Sequence, residues 1–310
     1  MFNKAKITLW IETYLFYPST LWHYLLALIL LPLSIIYSLI VICKRVCAKQ
    51  RDFGVAIISI GNLTLGGSGK TPLTIEIAKH YDHVAIILRG FGRQTQGMKL
   101  VAHNHKIYCD VFQSGDEAME YATSLPHATV IVSEDRSEAI QYAKSLGCNI
   151  ILLDDGFSKA YIKKFDILIR PKREPKLPFC IPSGAYREPI YLYHDADLVL
   201  QEDVDFKRVV NIENATEQMV LVTGISKPNR LDEYLPKNLI GKVYFEDHHA
   251  YHEEELSKIM SRFHATSILT TTKDAVKMEA FGFNLSIMKL NIEIKQSAID
   301  KINAFLANFR

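Results

Sequence analysis

The longest apolar stretch is residues 21–43 (LWHYLLALILLPLSIIYSLIVIC), which carries no formal charge. At about 1.5 Å per residue, a helix of this length reaches roughly 35 Å, enough for a bilayer core of about 30 Å. Tyr14, Phe16, Tyr17, Trp22 and Tyr24 crowd its front as in an interfacial belt, and Lys44, Arg45, Lys49 and Arg51 follow it. That polarity favours the cytoplasmic side for the rest of the chain. The run exceeds the apolar core of a signal peptide, and no small-residue cleavage site follows it. Pro32 falls in its middle, so crossing the bilayer and lying in one leaflet both stay open. Beyond it the pattern changes to short apolar runs at 55–60, 84–88, 107–112, 129–132, 150–153 and 167–169, with helices predicted at 72–81 and 137–146. Strands alternating with helices predict an α/β fold with a mostly parallel, doubly wound sheet, whose ligands lie beyond the strand C-termini. A looser set follows at 198–200, 219–223, 243–245, 267–269 and 287–292, after a Pro- and charge-rich segment at 171–189. The expected organisation is a membrane-associated helix (1–48), a core (49–195), a smaller α/β lobe (196–296) and a closing helix (297–310) that packs on the core. Ile299, Ile302, Phe305 and Leu306 supply the closing helix's apolar face.

Composition narrows the classes. The 310 residues carry a net charge of +2, so no global field argues for nucleic acid. The five cysteines (Cys43, Cys47, Cys109, Cys148, Cys180) form no C-x-x-C pair, so neither a disulfide framework nor a zinc knuckle is suggested; Cys43 and Cys47 are at helical spacing, but at the end of the apolar segment reduced, cytosolic thiols are the expectation. Nothing in the chain implies an obligate protein partner.

The chemistry begins at 61–71, GNLTLGGSGKT, between an apolar β-branched run and a helix-like segment. A strand, a glycine-rich turn and a helix start make a phosphate-binding loop. The backbone of Gly66, Gly67, Ser68 and Gly69 turns N–H groups around an anion, and the helix N-terminus adds partial positive charge. Lys70 reaches the terminal phosphates of ATP and the Thr71 hydroxyl holds Mg²⁺. Thr64 stands where the standard consensus has its first glycine. The extra glycine pair resembles the loops of ParA/MinD-like ATPases, but Leu65 replaces their signature lysine. The fold expected is therefore a P-loop NTPase core.

Asp154 and Asp155 follow IILL at 150–153, the pattern of a carboxylate at a strand mouth that holds Mg²⁺ directly or through water. Ser114-Gly115-Asp116-Glu117 reads, on spacing alone, as a helix start with an acidic first turn. Asp247-His248-His249 with His252 is compatible with a metal cluster or with an Asp–His dyad that handles a proton. Thr272-Lys273-Asp274-Ala275 places its aspartate one residue early for guanine recognition, which counts against a GTPase switch.

Nine stretches, in order over nearly the whole chain, resemble the tetraacyldisaccharide 4′-kinase family of lipid A biosynthesis. They are GNLTLGGSGKTP (61–72), RGFGR (89–93), GDE (115–117), S-x-D-R (133–136), LLDDGF (152–157), IPSGAYREP (181–189), TGI-x-x-P (223–228), F-x-DHH-x-Y (245–251) and TTKDAVK (271–277). The resemblance implies transfer of the γ-phosphate of ATP to the 4′-hydroxyl of a tetraacylated glucosamine disaccharide 1-phosphate, giving lipid IVA. It implies that Asp116 is the base for that hydroxyl, working with His248, and so overrides the structural reading of the GDE turn. Lys70, Thr71, Asp154 and Asp155 then carry the phosphates and Mg²⁺, with Glu188 a further candidate for the metal shell and Arg187 for anion contacts. Arg89 and Arg136 suit a substrate phosphate, because guanidinium pairs with phosphate oxygens. The second lobe is expected to close over the nucleotide. The acylated substrate gives the apolar helix its purpose: attachment to the inner membrane with the catalytic part on the cytoplasmic face. The family commonly has tyrosine at Phe91, proline at Ala118 and Gln-His at Ser158-Lys159, and none of these departures removes a proposed catalytic atom. Two other readings compete: a membrane-tethered P-loop ATPase that drives assembly or positioning, and a non-catalytic nucleotide sensor.

Overall fold

The computed structural model describes residues 4–66, 69–225, 228–247 and 249–309. Two compact units emerge, one formed by Met1–Lys207 with Glu293–Arg310 and the other by Arg208–Ile292.

The first unit opens with two helices, α1 (Lys4–Phe16) and α2 (Leu21–Val46). Thr20 caps α2 by accepting a hydrogen bond from the His23 N–H, and Pro32 lies within it. Then come β1 (Ala56–Gly61), α3 (Lys70–Ala78), β2 (Val84–Leu88), β3 (Lys99–His103), β4 (Lys106–Ile107), α4 (Val111–Ser114), α5 (Asp116–Ser124), β5 (Thr129–Val132), α6 (Arg136–Ser145), β6 (Ile150–Asp154), β7 (Phe165–Arg170) and β8 (Leu198–Gln201). The eight strands lie in the order β4-β3-β5-β2-β6-β1-β7-β8. β3 and β4 run antiparallel and the others parallel.

The continuous apolar runs form central strands because both faces of the sheet are covered. Every residue of β1, β2 and β5 is buried. Ile57, Ile87, Ile131, Ile151 and Leu153 pack on one face with Ala139, Ile140 and Ala143 of α6. The alternate positions, Ile58, Ile60, Ile86, Leu88, Val130 and Leu152, are equally buried, and α3 and α5 pack against the sheet. Parallel pairing sets Ile60 opposite Asp154 and Leu88 opposite Val132, so the C-terminal mouths of β1, β2, β5 and β6 open along one edge.

Two expectations need correcting. The run at 107–112 is not a strand: β4 ends at Ile107, and Asp110 accepts a hydrogen bond from the Gln113 N–H to start α4. The run at 198–200 joins the first sheet, because β8 pairs in parallel with β7 from Ile167–Leu198 to Arg170–Gln201.

The second unit is a five-stranded sheet in the order β11-β10-β12-β13-β9, from β9 (Phe206–Glu213), β10 (Met219–Thr223), β11 (Leu239–Tyr244), β12 (Ser267–Thr271) and β13 (Leu285–Ile294). Two helices belong to it, α7 (Glu253–Phe263) and α8 (Thr272–Met278). The chain returns to the first unit in α9 (Gln296–Leu306), which buries Ile299, Ile302 and Leu306, while Phe305 lies 5.0 Å from the Phe165 ring.

Candidate active site

The loop after β1 is tied down before it binds anything. Thr64 bridges Tyr186, Leu65 N–H donates to Ala185 O at 2.8 Å, and Arg187 N–H donates to Leu63 O at 2.7 Å. Gly69 caps α3 with φ +82°, a left-handed conformation open to glycine at no steric cost. Lys70 and Thr71 then open the helix, and Pro72 sits in its first turn. Gly67 and Ser68 lie outside the described residues.

The Lys70 ammonium donates to Asn62 Oδ1 at 2.9 Å and stands 3.7 Å from Asp155 Oδ1. Arg187 reaches the same two residues. Its guanidinium grips Asp155 through both oxygens (3.0 and 2.8 Å) and donates to Asn62 O and Oδ1 at 3.0 Å. Asp155 adopts φ +54°, an uncommon conformation for a residue with a Cβ. The two-pronged guanidinium contact and an N–H bond to Ile60 O at 2.9 Å hold it there. Burial alone would raise the Asp155 carboxyl, but the Arg187 hydrogen bonds and the charges of Lys70 and Arg187 hold it below its ordinary range. Arg187, expected to contact anions, here braces Asp155 and the loop through both terminal nitrogens, while its Nε is buried without a partner.

Asp154, at the end of β6, is in a different state. It is 4% exposed, its Oδ2 accepts from the Tyr121 hydroxyl at 3.1 Å, and its Oδ1 is buried without a partner. Burial, reinforced by the Glu117 charge, pushes its carboxyl up to about 7. Two adjacent carboxylates thus differ, one clamped by arginine and one poised for a cation.

Around them lies a cavity of ≈550 Å³ lined by Lys70, Leu88, Arg89, Gly90, Phe91, Glu117, Glu134, Arg136, Asp154, Asp155, Ser158, Lys159 and Arg187. Arg89 follows β2 and Arg136 opens α6 after β5, so the parallel sheet carries both to the mouth that also holds Lys70 and Asp154. Arg136 is 3% exposed, and it donates to the carbonyl oxygens of Ser133 and, at 3.5 Å, Asp154. Asp116 is half-buried at the first position of α5, while its neighbour Glu117 lines the cavity. Gly115 joins this turn to the one after β2: its φ is +87°, and a Cβ there would stand 3.0 Å from Phe91 O. Glu188 lies in an adjoining cavity of ≈240 Å³ with Tyr37, Arg45, Asn62 and Phe157, and its carboxylate is 3.9 Å from the Arg45 guanidinium.

In the second unit, Asp274 is fully buried and accepts from the Thr223 hydroxyl (2.7 Å), Gly224 N–H (3.1 Å) and the Thr271 hydroxyl (3.1 Å). It ties the TGI stretch to the start of α8, which explains an aspartate at this place without a guanine to read. His249 Nε2 is 2.9 Å from Glu255 Oε1. His248 lies outside the described residues. Among the described residues, no group of three His, Cys, Asp or Glu side chains is arranged to hold a metal.

Two participants escaped sequence reasoning. Asn62 has the local signal of an amide directly after a strand, which spacing does not distinguish from a turn former. Tyr121 reads as one more apolar position of α5, and only the fold brings it to Asp154.

Comparisons with known proteins place the chain. The model of the tetraacyldisaccharide-1-P 4′-kinase family (LpxK) matches residues 26–214 and 204–308. The tetraacyldisaccharide 4′-kinase of Aliarcobacter butzleri strain RM4018 is 50% identical over 315 aligned residues, covering 99% of this chain and all of the relative. That of Helicobacter acinonychis strain Sheeba is 43% identical, covering 95% of this chain and 94% of the relative. The crystal structure of the apo form of LpxK from Aquifex aeolicus in complex with ATP superposes with a TM-score of 0.74 at 24% identity, covering 92% of this chain and 99% of that one. That likeness establishes the shared fold. On the family model and these full-length relatives together, the chain belongs to the tetraacyldisaccharide-1-P 4′-kinase family.

Proposed function

We propose that this protein transfers the γ-phosphate of ATP to the 4′-hydroxyl of tetraacyldisaccharide 1-phosphate, the step of lipid A biosynthesis that yields lipid IVA. The observation that carries this reading is one cavity holding the loop lysine Lys70, the contrasting pair Asp154 and Asp155, and the arginines Arg89 and Arg136, in a chain of this family. Phosphoryl transfer depends mostly on positioning and on charge neutralisation, which is what these groups supply. Lys70 neutralises the nucleotide's terminal phosphates, and Arg89 and Arg136 hold phosphate oxygens. Asp116, at the start of α5, orients the acceptor hydroxyl and takes its proton.

Mg²⁺ fits this site. The orphaned Asp154 Oδ1 is a buried acceptor that lacks a partner, and a hard cation is the partner suited to it. Asp154 and the Thr71 hydroxyl would hold the ion, and phosphate oxygens and water would complete its shell. When bound, it supplies neutralisation of charge on the phosphates. Asp155 and Glu188, the latter beside Arg45, are further candidates for its shell.

The two N-terminal helices attach the protein to the cytoplasmic face of the inner membrane. α2 is long and apolar enough to cross a bilayer, but one face of it is committed to the first unit. Ser183 N–H donates to Ser34 Oγ and Ser183 Oγ to Ala27 O, both at 2.9 Å, and Tyr37 donates to Arg187 O at 2.8 Å. Leu21, Trp22, Leu25, Leu28, Ile29, Ile36, Leu39 and Ile40 remain exposed. A helix docked in this way along a polar body lies in one leaflet, its exposed stripe among the acyl chains.

The test uses detergent-purified protein, ATP labelled in its γ-phosphate, Mg²⁺ and the tetraacyldisaccharide 1-phosphate in mixed micelles. Label is expected in the lipid, falling about 100-fold or more in Lys70→Ala. ATP hydrolysis without labelled lipid would sink the kinase and favour the tethered ATPase.

A further inference from the structure

The cations lining the cavity fall into two groups. Lys70 and Arg187 share Asp155. Arg89, Arg136 and Lys159 line the same cavity, and among the described residues none of the three has a carboxylate within ion-pair distance. Arg136 is the most telling. It is almost wholly buried, its guanidinium donates only to carbonyl oxygens, and its Nε has no partner. A buried guanidinium is costly unless its charge is answered. Lys159 adds a third positive charge where the apo protein least needs one. Its ammonium is held below its ordinary range first by burial and then by the charges of Arg136 and Arg89, with Asp155 and Asp135 opposing more weakly. Lys164, five residues on, shows the usual alternative: it too is largely buried, yet it pairs with Asp166 at 3.2 Å. Lys159 instead lies two residues beyond the LLDDGF stretch and has no such partner among the described residues.

We infer that Lys159 is a phosphate-binding residue of this chain, completing with Arg89 and Arg136 a three-cation subsite in which, among the described residues, no member is ion-paired with a carboxylate. This rests on the kinase reading for its substrates. The ligand is a phosphate monoester dianion, or the terminal phosphate of a polyphosphate, each of which offers three oxygens to such a cluster. In that reaction the dianion comes either from the nucleotide or from the phosphate already on the acceptor.

The experiment compares the full-length protein with Lys159→Gln and Lys159→Arg in mixed micelles. It measures the KM of ATP, the KM of the phosphorylated disaccharide and kcat, together with equilibrium binding of each reactant alone without Mg²⁺. Lys159→Gln is expected to raise one KM and the matching dissociation constant about tenfold, the worth of one charge-assisted hydrogen bond, with kcat within about threefold. Lys159→Arg, which keeps the charge, is expected to restore the affinity. A shift confined to the disaccharide assigns the subsite to the acceptor's phosphate, and one confined to ATP assigns it to the nucleotide. Unchanged affinities for both in Lys159→Gln would overturn the proposal even with the kinase intact. Equal losses in the Gln and Arg variants, with a lowered melting temperature, would overturn it in favour of a structural side chain. Should wild type label no lipid while Lys159→Gln still weakens ATP binding, the subsite stands and the kinase reading falls.

Discussion

Asp154 brings a proton-dependent cost into the folded state. Its carboxyl is raised from 3.8 to about 7, chiefly by burial, so the folded protein holds this proton more tightly than the unfolded chain does. The stabilising contribution is complete below about pH 4 and is lost as pH rises through 7. A cation reverses the penalty by answering the ionised form. Asp154→Asn keeps the shape and the Tyr121 contact without the charge. It should stabilise the metal-free protein at pH 8 by on the order of 2–4 kcal/mol, converge with wild type near pH 4 and lose phosphotransfer. Parallel melting curves across that range would show that Asp154 is not the group responsible. Arg187→Lys tests its neighbour. A lysine places one point charge where the guanidinium makes a two-pronged contact, so Asp155 would lose its fixed geometry. As both side chains are partly exposed, the stability cost should stay under about 1 kcal/mol, while kcat/KM falls tenfold or more in the micelle assay. Lys70 and the Asp154-Asp155 pair were legible in sequence because each sits at a fixed offset from a strand in a local motif. Asn62 and Tyr121 were not, since Arg187 is 125 positions from Asn62 and Asp154 is 33 from Tyr121.

At the scale of elements, α2 shows what hydropathy can and cannot say. Its length and apolarity were plain, but its docked face was not. That face is built of His23, Ala27 and Ser34, small or polar residues scattered among leucines and isoleucines, and Ser183, the partner of Ser34 and Ala27, lies 149 and 156 positions from them. The same limit explains β8: an apolar run of three residues does not reveal which sheet receives it. The alternation of strands and helices, by contrast, follows from local periodicity, and the central parallel sheet was readable from it. The two faces of α2 should respond differently to substitution. Ala27→Leu adds bulk to a packed contact and should lower stability by about 1–3 kcal/mol. Leu28→Gln and Ile36→Gln, on the exposed stripe, should leave the melting temperature in detergent nearly unchanged and reduce sedimentation with liposomes. A common loss of stability in all three would mean that α2 has no free face.

At the scale of the molecule, each unit has its own sheet and core, and the long apolar helix α2 belongs to the first. Its C-terminal half reaches the residues that brace the phosphate loop. Tyr37 donates to Arg187 O, and Arg45 stands over the Phe157 ring at 4.1 Å and beside Glu188. If α2 crossed the bilayer, contacts running from Ala27 to Arg45 would carry the Arg187 and Glu188 segment into hydrocarbon, where their charges are prohibitively costly. If α2 lies in one leaflet, both of its ends face the cytoplasm, and the phosphate loop is held at the depth where lipid headgroups meet dissolved ATP. Labelling decides between these arrangements. Ser19 precedes the helix and Cys47 follows it, and both are exposed. In a Cys43→Ser, Cys109→Ser background, one variant keeps Cys47, and a second carries Ser19→Cys with Cys47→Ser. A membrane-impermeant maleimide applied to inside-out inner-membrane vesicles should modify both variants at similar rates, and neither in intact spheroplasts. Modification of the residue-19 cysteine only from the periplasmic side would mean that α2 spans, and that its contacts with Ser183 and Arg187 do not survive in the membrane.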